Sequence, residues 1–292
     1  MSYRFRTDLG PFRAIVHPTD FAELSESAFL HALAVGLRAR ARLVTVHVAG
    51  SATAPSWELF AHVRSRIAVW GALAPDATQN ALEALGMSLA DTRAIEGEAA
   101  TVVRDVTIRE QAELIVLGTH AGSGWRRLRG SLVLTPELQK AGVPTLIHRE
   151  GTTTFIDAIS GRVRLRRVLV PVDETPSATP ALEALFRLFD SLDVQGASIR
   201  LFHVGPEGAM PPMWPEPQRD TFRFSDGYGS GAPARAIAAE AAAWDADLIA
   251  MTTGGRRGLL DAVMGSTVER VVAAAPCPVL AVPSPPHRAL RG

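Results

Sequence analysis

Short apolar runs alternate with longer amphipathic segments along the whole chain. The strand-like runs are rich in Val, Ile and Leu and have no polar face, as at 13–17, 42–48 and 113–118. Segments with apolar residues at helical spacing, such as 24–38 and 98–110, separate these runs. Short strands without a polar side are typical of a parallel sheet that is covered by helices on both faces. The pattern therefore predicts an α/β fold.

This pattern occurs twice. The run at 167–173 repeats the run at 15–20, and both end in Pro-x-Asp. The segment 202–204 reads Phe-His-Val where 46–48 reads Val-His-Val, and the later strands correspond in the same way. The repeat distance is roughly 150 residues, so the chain is predicted to be an internal duplication. We expect one domain at 1–150 and a second at 167–283.

The segments outside the two copies have a different composition. The stretch 151–166 has β-rich arms around a turn, which predicts a hairpin linker between the domains. The tail at 284–292 is expected to be disordered.

The two copies differ in their middle. From the Asp after the first strand to the end of the fourth strand, the first copy spans 98 positions and the second spans 79. The second copy is therefore expected to lack its second helix. Its replacement, 206–231, is rich in Pro, Gly and aromatic residues, and only a strand near 219–224 is predicted there.

The net charge, the length of the apolar runs and the number of cysteines limit the class of protein. The 292 residues have a formal net charge of zero, which argues against a dedicated nucleic-acid binder or a membrane-surface protein. No apolar run approaches the roughly 18 residues of a membrane span, and the N-terminus does not resemble a signal peptide. Cys277 is the single cysteine, so an intramolecular disulfide is excluded. We expect a cytoplasmic protein.

The segment after the apolar run at 247–251 has the features of a phosphate-binding loop. Its glycines permit close approach of a ligand and its arginines supply positive charge: Gly255, Gly258, Gly265, Arg256 and Arg257. Ser266-x-x-Glu269 is a capping box, which predicts a helix N-terminus with unpaired N–H groups at Ser266. The combination favours an anion site. The alternative is that the glycines only turn the chain between strand and helix.

These motifs resemble the universal stress protein family. The ATP-binding branch of that family has a Gly, two residues, a second Gly, nine residues, and then Gly-Ser or Gly-Thr. Residues 252–255 read Thr-Thr-Gly-Gly and Gly265-Ser266 follows after nine residues, so the spacing fits with Thr252 in place of the first glycine. Pro-x-Asp after the first strand, His in the second and Ala-Pro-Cys-Pro-Val before the last also match. The resemblance covers 12–150 and 164–283.

The resemblance implies two Rossmann-like or flavodoxin-like domains, each a five-stranded parallel sheet with helices on both faces. It also implies a site for ATP or another adenine nucleotide, with or without Mg²⁺, in the second half. Contacts to adenosine would come from Pro171, Val172, Asp173 and Val204, and contacts to the phosphates from Gly255, Arg256, Gly265, Ser266 and Thr267. The side chain of Thr252 either crowds the ligand or donates its hydroxyl to a phosphate, and both alternatives stay open.

The first half has a poorer version of the loop. Gly118 stands at the first glycine position, but Ala121 replaces the second glycine, and Gly130-Ser131 comes one residue early. The expected helix start moves to Thr135-Pro136, which displaces the amide cluster. The first half is therefore expected to bind nucleotide weakly or not at all and to act as a structural partner of the second.

The favoured function is a stress-response module that binds an adenine nucleotide and responds through its conformation or its choice of partner. Two alternatives stay open: a slow ATPase or nucleotide-transferring enzyme on the same fold, and a nucleotide-free interaction module. No catalytic or metal-binding residue is assigned. Buried histidines are expected to bond backbone carbonyls rather than a metal, and Cys277 is expected to pack rather than react.

The expected partners follow from the same resemblance. Family members associate through their last strands, and the corresponding strands here, 144–148 and 278–282, are expected to pair within one chain. A homo-oligomer formed through last-strand pairing of domains is also expected. No nucleic acid or membrane is expected as a partner.

Overall fold

The computed structural model describes residues 10–19, 26–48, 59–94, 98–119, 136–211, 222–254 and 267–284. The first half contains β1 Ala14–Pro18, α1 Glu26–Ala39, β2 Arg42–Val48, α2 Leu59–Val69, α3 Gln79–Ala84, β3 Ser88–Ala94, α4 Ala99–Arg109, β4 Leu114–Thr119, α5 Pro136–Gln139 and β5 Thr145–Arg149. The second half contains β6 Arg167–Pro171, α6 Thr179–Leu192, β7 Ser198–Val204, β8 Arg223–Gly229, α7 Pro233–Ala243, β9 Leu248–Thr253, α8 Thr267–Ala274 and β10 Val279–Pro283. None of these described helices is long and apolar enough to cross a membrane.

The ten described strands form one sheet in the order β3-β2-β1-β4-β5-β10-β9-β6-β7-β8. Neighbouring strands are parallel except at the centre, where β5 and β10 are antiparallel. Each half has five parallel strands in the same relative order, and the two orders meet as mirror images along the sheet. The predicted fold class, a duplicated α/β domain with parallel strands, is confirmed.

The core lies in two layers because apolar side chains leave the strands on both faces. One layer packs under α1 and α6 and contains Leu114, Leu146, Leu248 and Leu280 from four central strands. The other layer packs under α4, α7 and α8. Every residue of β9 is buried, as expected for a strand covered on both sides. Both layers include side chains from the two halves, so the halves share their core.

The last strands of the two halves pair with each other. Val279, Leu280 and Ala281 lie opposite residues 145–147 in the antiparallel ladder. Both strands are therefore interior, and the described edges of the sheet are β3 and β8. A homo-oligomer of this chain stays a prediction, and it requires a surface other than these already paired strands.

Arg187 of α6 joins the two halves at the start of the first domain. Its Nη2 lies 2.9 Å from a carboxylate oxygen of Glu113, and its Nε donates to the carbonyl of Gly10 at 3.2 Å. The guanidinium carbon also lies 4.4 Å from the ring centroid of Phe12, whose backbone N–H donates to Oγ of Ser191 at 2.9 Å. One largely buried cation thus bonds a carboxylate, a carbonyl and an aromatic face of the other half.

The linker between the halves has less strand than the sequence predicts. Only one antiparallel bridge, Ile156 to Val163, forms within the predicted hairpin. The turn instead depends on Asp157, whose carboxylate accepts hydrogen bonds from Ile159 N and Ser160 N at 3.2 and 2.9 Å. Side-chain bonds to the backbone compete with a strand ladder, which explains the short pairing.

The turn of the linker packs on α2 through Trp70. Its indole N–H donates to the carbonyl of Ala158 at 3.1 Å. Gly161 has φ +64°, and a Cβ at that residue would lie 2.5 Å from Cδ2 of Trp70. Glycine is therefore required at this position both by the backbone conformation and by the close approach of the ring.

We expect Gly161→Ala to lower the free energy of unfolding by about 2–3 kcal/mol, because it adds steric overlap to the strain of a positive φ. Gly151→Ala is the matched control, since Gly151 has φ +76° and no atom within 4 Å of a Cβ. The control should cost about 1 kcal/mol. Urea unfolding of both variants tests the difference, and equal losses would contradict the role of Trp70.

The strand predicted near 219–224 is wrong in its position. The structure has β8 at Arg223–Gly229, parallel to β7 in full register. The glycines of β8 are needed because the ring of Phe202 lies over this strand. A Cβ on Gly229 would come within 2.5 Å of Phe202 Cζ, and one on Gly227 within 3.1 Å of Cδ2. Residues 219–221 themselves lie outside the described part of the chain.

Candidate functional site

The candidate site lies where the strand order of the second half reverses. The chain passes from β6 to β7 on one side, whereas β9 lies on the other side of β6. A change of direction of this kind in a parallel sheet is where α/β proteins bind ligands, so we expect a crevice between the carboxyl ends of β6 and β9. The equivalent crevice of the first half lies between β1 and β4. Its predicted residues Asp20 and 120–135 lie outside the described residues.

The loop after β6 presents Asp173 at this crevice. Val172 is buried, and its backbone N–H donates to the carbonyl of Phe202 at 2.9 Å, which continues the pairing beyond Pro171. Asp173 is exposed, and its Oδ1 accepts a hydrogen bond from Glu174 N at 2.8 Å. The Pro-x-Asp motif thus ends the strand with a buried apolar residue and then an exposed carboxylate.

The end of β7 forms the adjacent wall. Nδ1 of His203 donates to the carbonyl of Val172 at 3.0 Å, so the two strand ends are tied together. Val204 is half-buried and packs against the core on the α7 side. A Cβ on Gly205 would lie 2.2 Å from Nε2 of His203, so the imidazole lies directly over this glycine. The sequence analysis did not predict a role for Gly205. Its one indication in the sequence is a glycine directly after His203-Val204.

The third wall is the end of β9. Thr252 and Thr253 are buried, whereas Gly254 is exposed. A Cβ on Gly254 would lie 3.6 Å from Cδ of Pro176, which follows a cis peptide bond after Thr175. The loops after β6 and β9 therefore meet at this point, although the two residues are far apart in sequence.

Thr252 has an unusual environment for a polar side chain. It is 7% exposed, and its Oγ1 is fully buried without a hydrogen-bond partner among the residues that the structure describes. Buried hydroxyls are normally paired because desolvation without compensation costs free energy. An unpaired hydroxyl at the edge of a crevice is therefore a candidate ligand contact.

The phosphate-binding part of the predicted site is described only at its end. Helix α8 begins at Thr267, one residue after the predicted cap, and its first turn contains Glu269. Oγ1 of Thr267 accepts a hydrogen bond from Nη2 of Arg270 at 3.3 Å. The other predicted phosphate contacts lie outside the described residues: Gly255, Arg256, Gly265 and Ser266. The other predicted residues lie at or directly after the carboxyl ends of the neighbouring strands β6, β7 and β9: Pro171, Val172, Asp173, Val204 and Thr252.

Histidines near the strand ends bond backbone carbonyls, as predicted. Nδ1 of His17 donates to Val116 O at 2.8 Å, and Nδ1 of His47 donates to Thr19 O at 3.0 Å. His47 and His203 hold equivalent positions in the two halves and make equivalent bonds. Within the described residues, no three His, Cys, Asp or Glu side chains are grouped as metal ligands.

Cys277 is not placed to act as a nucleophile. The side chain is buried beside β9, and burial raises the pKa of the thiol to about 12. The thiolate is the reactive form of cysteine, so this residue is protonated at neutral pH and packs as an apolar side chain.

Comparisons with known proteins agree with the fold. A universal stress protein from Archaeoglobus fulgidus DSM 4304 has 18% identity and a TM-score of 0.59, with 96% of this chain and 98% of that chain covered. A functionally unknown protein from Pseudomonas aeruginosa PAO1 has 14% identity and a TM-score of 0.58, with 94% and 93% covered. At these identities the likeness shows a shared fold across both halves. A search of curated proteins gave no significant match.

The family comparison matches one segment in each half. The model of the universal stress protein family matches residues 11–149 and 227–283. The second segment contains β9, Thr252 and α8, while β6 and the shortened connection before β8 lie between the two matches. Because the matched segments cover more than half of the chain, this protein belongs to the universal stress protein family.

Proposed function

We propose that the protein is a stress-response module that binds ATP or another adenine nucleotide in the crevice between β6 and β9. The observation that supports the proposal is the approach of Gly254, at the end of β9, to Pro176, which belongs to the same loop as the exposed Asp173. Parallel α/β sheets bind their ligands at such a point. In this proposal one site combines the carboxylate of Asp173, an apolar wall and the amides at the start of α8.

The residues fit the parts of a nucleotide. Asp173 accepts hydrogen bonds and suits the ribose hydroxyls, while Val172 and Val204 provide apolar contact for the base. Arg256 and the amides that open α8 at Thr267 suit the phosphates, with Mg²⁺ as a companion ion. Pro171, Thr252, Gly255, Gly265 and Ser266 complete the proposed set.

The proposed output is regulatory. Binding in the second half would bias the conformation of a sheet that both halves share, since the core layers are continuous across β5 and β10. In this proposal the first domain, 1–150, is a structural partner, and a further copy of the chain would associate through a surface outside the paired last strands. The single buried cysteine, Cys277, suits the cytoplasm, where we place the protein.

Titration calorimetry of the full chain with ATP, ADP and AMP tests the proposal. We expect one nucleotide per chain. Asp173→Ala should weaken binding by about tenfold or more, because a hydrogen bond to a charged group contributes about 1.5–3 kcal/mol. Asp20→Ala is the matched control at the equivalent position of the first half and should change the affinity by less than about twofold.

The outcomes separate the alternatives. If Asp20→Ala weakens binding and Asp173→Ala does not, the nucleotide is in the first half. If no nucleotide binds, the protein is an interaction module. Phosphate release measured on the same samples distinguishes a binding module from a slow ATPase, and we expect bound nucleotide to remain unhydrolysed.

A further inference from the structure

We infer that the hydroxyl of Thr252 is a ligand-contacting group that bonds the nucleoside side of the bound nucleotide, not its terminal phosphates. This inference rests on the proposed function and assigns one residue of that site a specific role. It differs from both alternatives that the sequence leaves open for Thr252, which are crowding of the ligand and donation of the hydroxyl to a phosphate.

The hydroxyl of Thr252 is unpaired within the described part of the chain. Thr252 is 93% buried, and its Oγ1 has no partner among the described residues. A buried hydroxyl without a partner is unfavourable unless a ligand completes its hydrogen bonding.

The side chain of Thr252 lies on the α6 side of the sheet. Side chains alternate between the faces of a strand, and Leu248 and Ala250 lie in the core layer under α6. Met251 lies in the opposite layer. Thr252 therefore faces the α6 side, where the loop of Asp173 leads into that helix. Gly254, two residues further, faces Pro176 of the same loop.

The phosphates of the nucleotide are expected at the N-terminus of α8, on the other side of the sheet. Helix α8 packs on the other face of the sheet, because Val268 and Val271 lie in the same core layer as Met251. The N-terminus of α8 and the hydroxyl of Thr252 are thus on opposite faces. The hydroxyl faces the side of the loop that joins β6 to α6, and Asp173 lies in that loop. A carboxylate only accepts hydrogen bonds whereas a hydroxyl also donates, so the two groups suit different atoms of a nucleoside.

Thr252→Val tests the assignment because valine retains the shape and removes the hydroxyl. The variant should lower the affinity for AMP and for ATP by the same factor, about fivefold for one neutral hydrogen bond. Without nucleotide it should melt at the same temperature as the wild type or higher, since no internal bond is lost. Thr252→Ser retains the hydroxyl and should bind both nucleotides within about twofold of wild type.

Each other result overturns the inference. A lower melting temperature of nucleotide-free Thr252→Val shows that the hydroxyl bonds a protein group. A loss confined to ATP places the hydroxyl at the phosphates, and unchanged affinities remove it from the site. If wild-type protein binds no nucleotide, the proposed function fails as well. If wild type and Thr252→Val bind equally, the inference fails alone.

Discussion

Lowering the pH from 7 to 5 is expected to reduce the free energy of unfolding by about 4 kcal/mol through two buried histidines. His31 of α1 and His148 of β5 lie with ring centroids 5.3 Å apart, both nearly inaccessible to solvent. Nδ1 of His31 donates to Ser27 O at 2.6 Å, and its Nε2 lies 3.2 Å from Oγ1 of Thr154. The ring of Phe155 covers His31 edge-on at 4.3 Å. This pocket suits neutral imidazoles and leaves no room to solvate a charge.

The sign follows from the direction of the pKa shifts. Burial, with a smaller contribution from His148, lowers the pKa of His31 to about 3, and burial lowers the pKa of His148 to about 4. In the unfolded chain both groups titrate at 6.5. The unfolded state therefore binds more protons as the pH falls below 6.5, so stability is complete above that pH and is lost below it. At pH 5 each group contributes a loss of about 2 kcal/mol.

His148→Leu isolates one member of the pair. Nε2 of His148 has no partner within the described residues, but the imidazole also forms a hydrogen bond with the backbone of Thr153. Leucine removes that bond, which lowers the stability of the variant already at pH 7. Urea unfolding of the variant between pH 7 and 5 should show a loss of about half the wild-type value, whatever its stability at pH 7. A loss as large as that of the wild type would assign the acid sensitivity to other groups.

The histidine pair shows where sequence reasoning ends. The two rings come from α1 and β5, and Thr154 and Phe155 of the linker enclose them. The sequence predicts the strand, the helix and a linker, since these depend on local apolar spacing. The contact of β5, α1 and the linker depends on how the linker crosses α1 as the two halves join, and no local sequence pattern predicts that crossing.

The same distinction applies to the strands. Runs such as β2 and β9 are rich in apolar residues and were predicted within a residue or two. β8 was misplaced because its Gly and Asp residues have low strand propensity. Those glycines pack under Phe202, which belongs to the neighbouring strand. Tertiary packing overrides propensity there, and a single sequence gives no sign of it.

The sequence predicts which strand ends contribute to the candidate site, but it does not predict the contacts that support them. Asp173 and Val204 follow directly from the ends of predicted strands, because parallel sheets bind ligands at that edge. The imidazole of His203 over Gly205, and the contact between Pro176 and Gly254, depend on how loops fold back. The sequence therefore predicts at which strand ends the candidate site lies, but it does not predict the contacts that surround it.

Leu146→Ala and Leu280→Ala are each expected to lower the free energy of unfolding by about 3 kcal/mol, because both side chains are fully buried. The two residues lie opposite each other in the antiparallel pair that joins the halves, and they belong to one core layer. Their effects should therefore be coupled, and the double variant should lose a different amount from the sum of the single losses. Urea unfolding, followed by both fluorescence and circular dichroism, measures each value.

The form of the transition tests whether the halves fold as one unit. A core layer that continues across β5 and β10 should make wild-type unfolding a single transition in both signals. In the Leu146→Ala, Leu280→Ala double variant, which weakens the contact between β5 and β10, the single unfolding transition should split into two. Leu43→Ala combined with Leu280→Ala is the control, since Leu43 is as deeply buried but lies on β2, away from the junction. This pair should be additive and should not decouple the halves. Equal splitting in both double variants would mean that the halves separate through general loss of core stability, and that the paired last strands do not couple them.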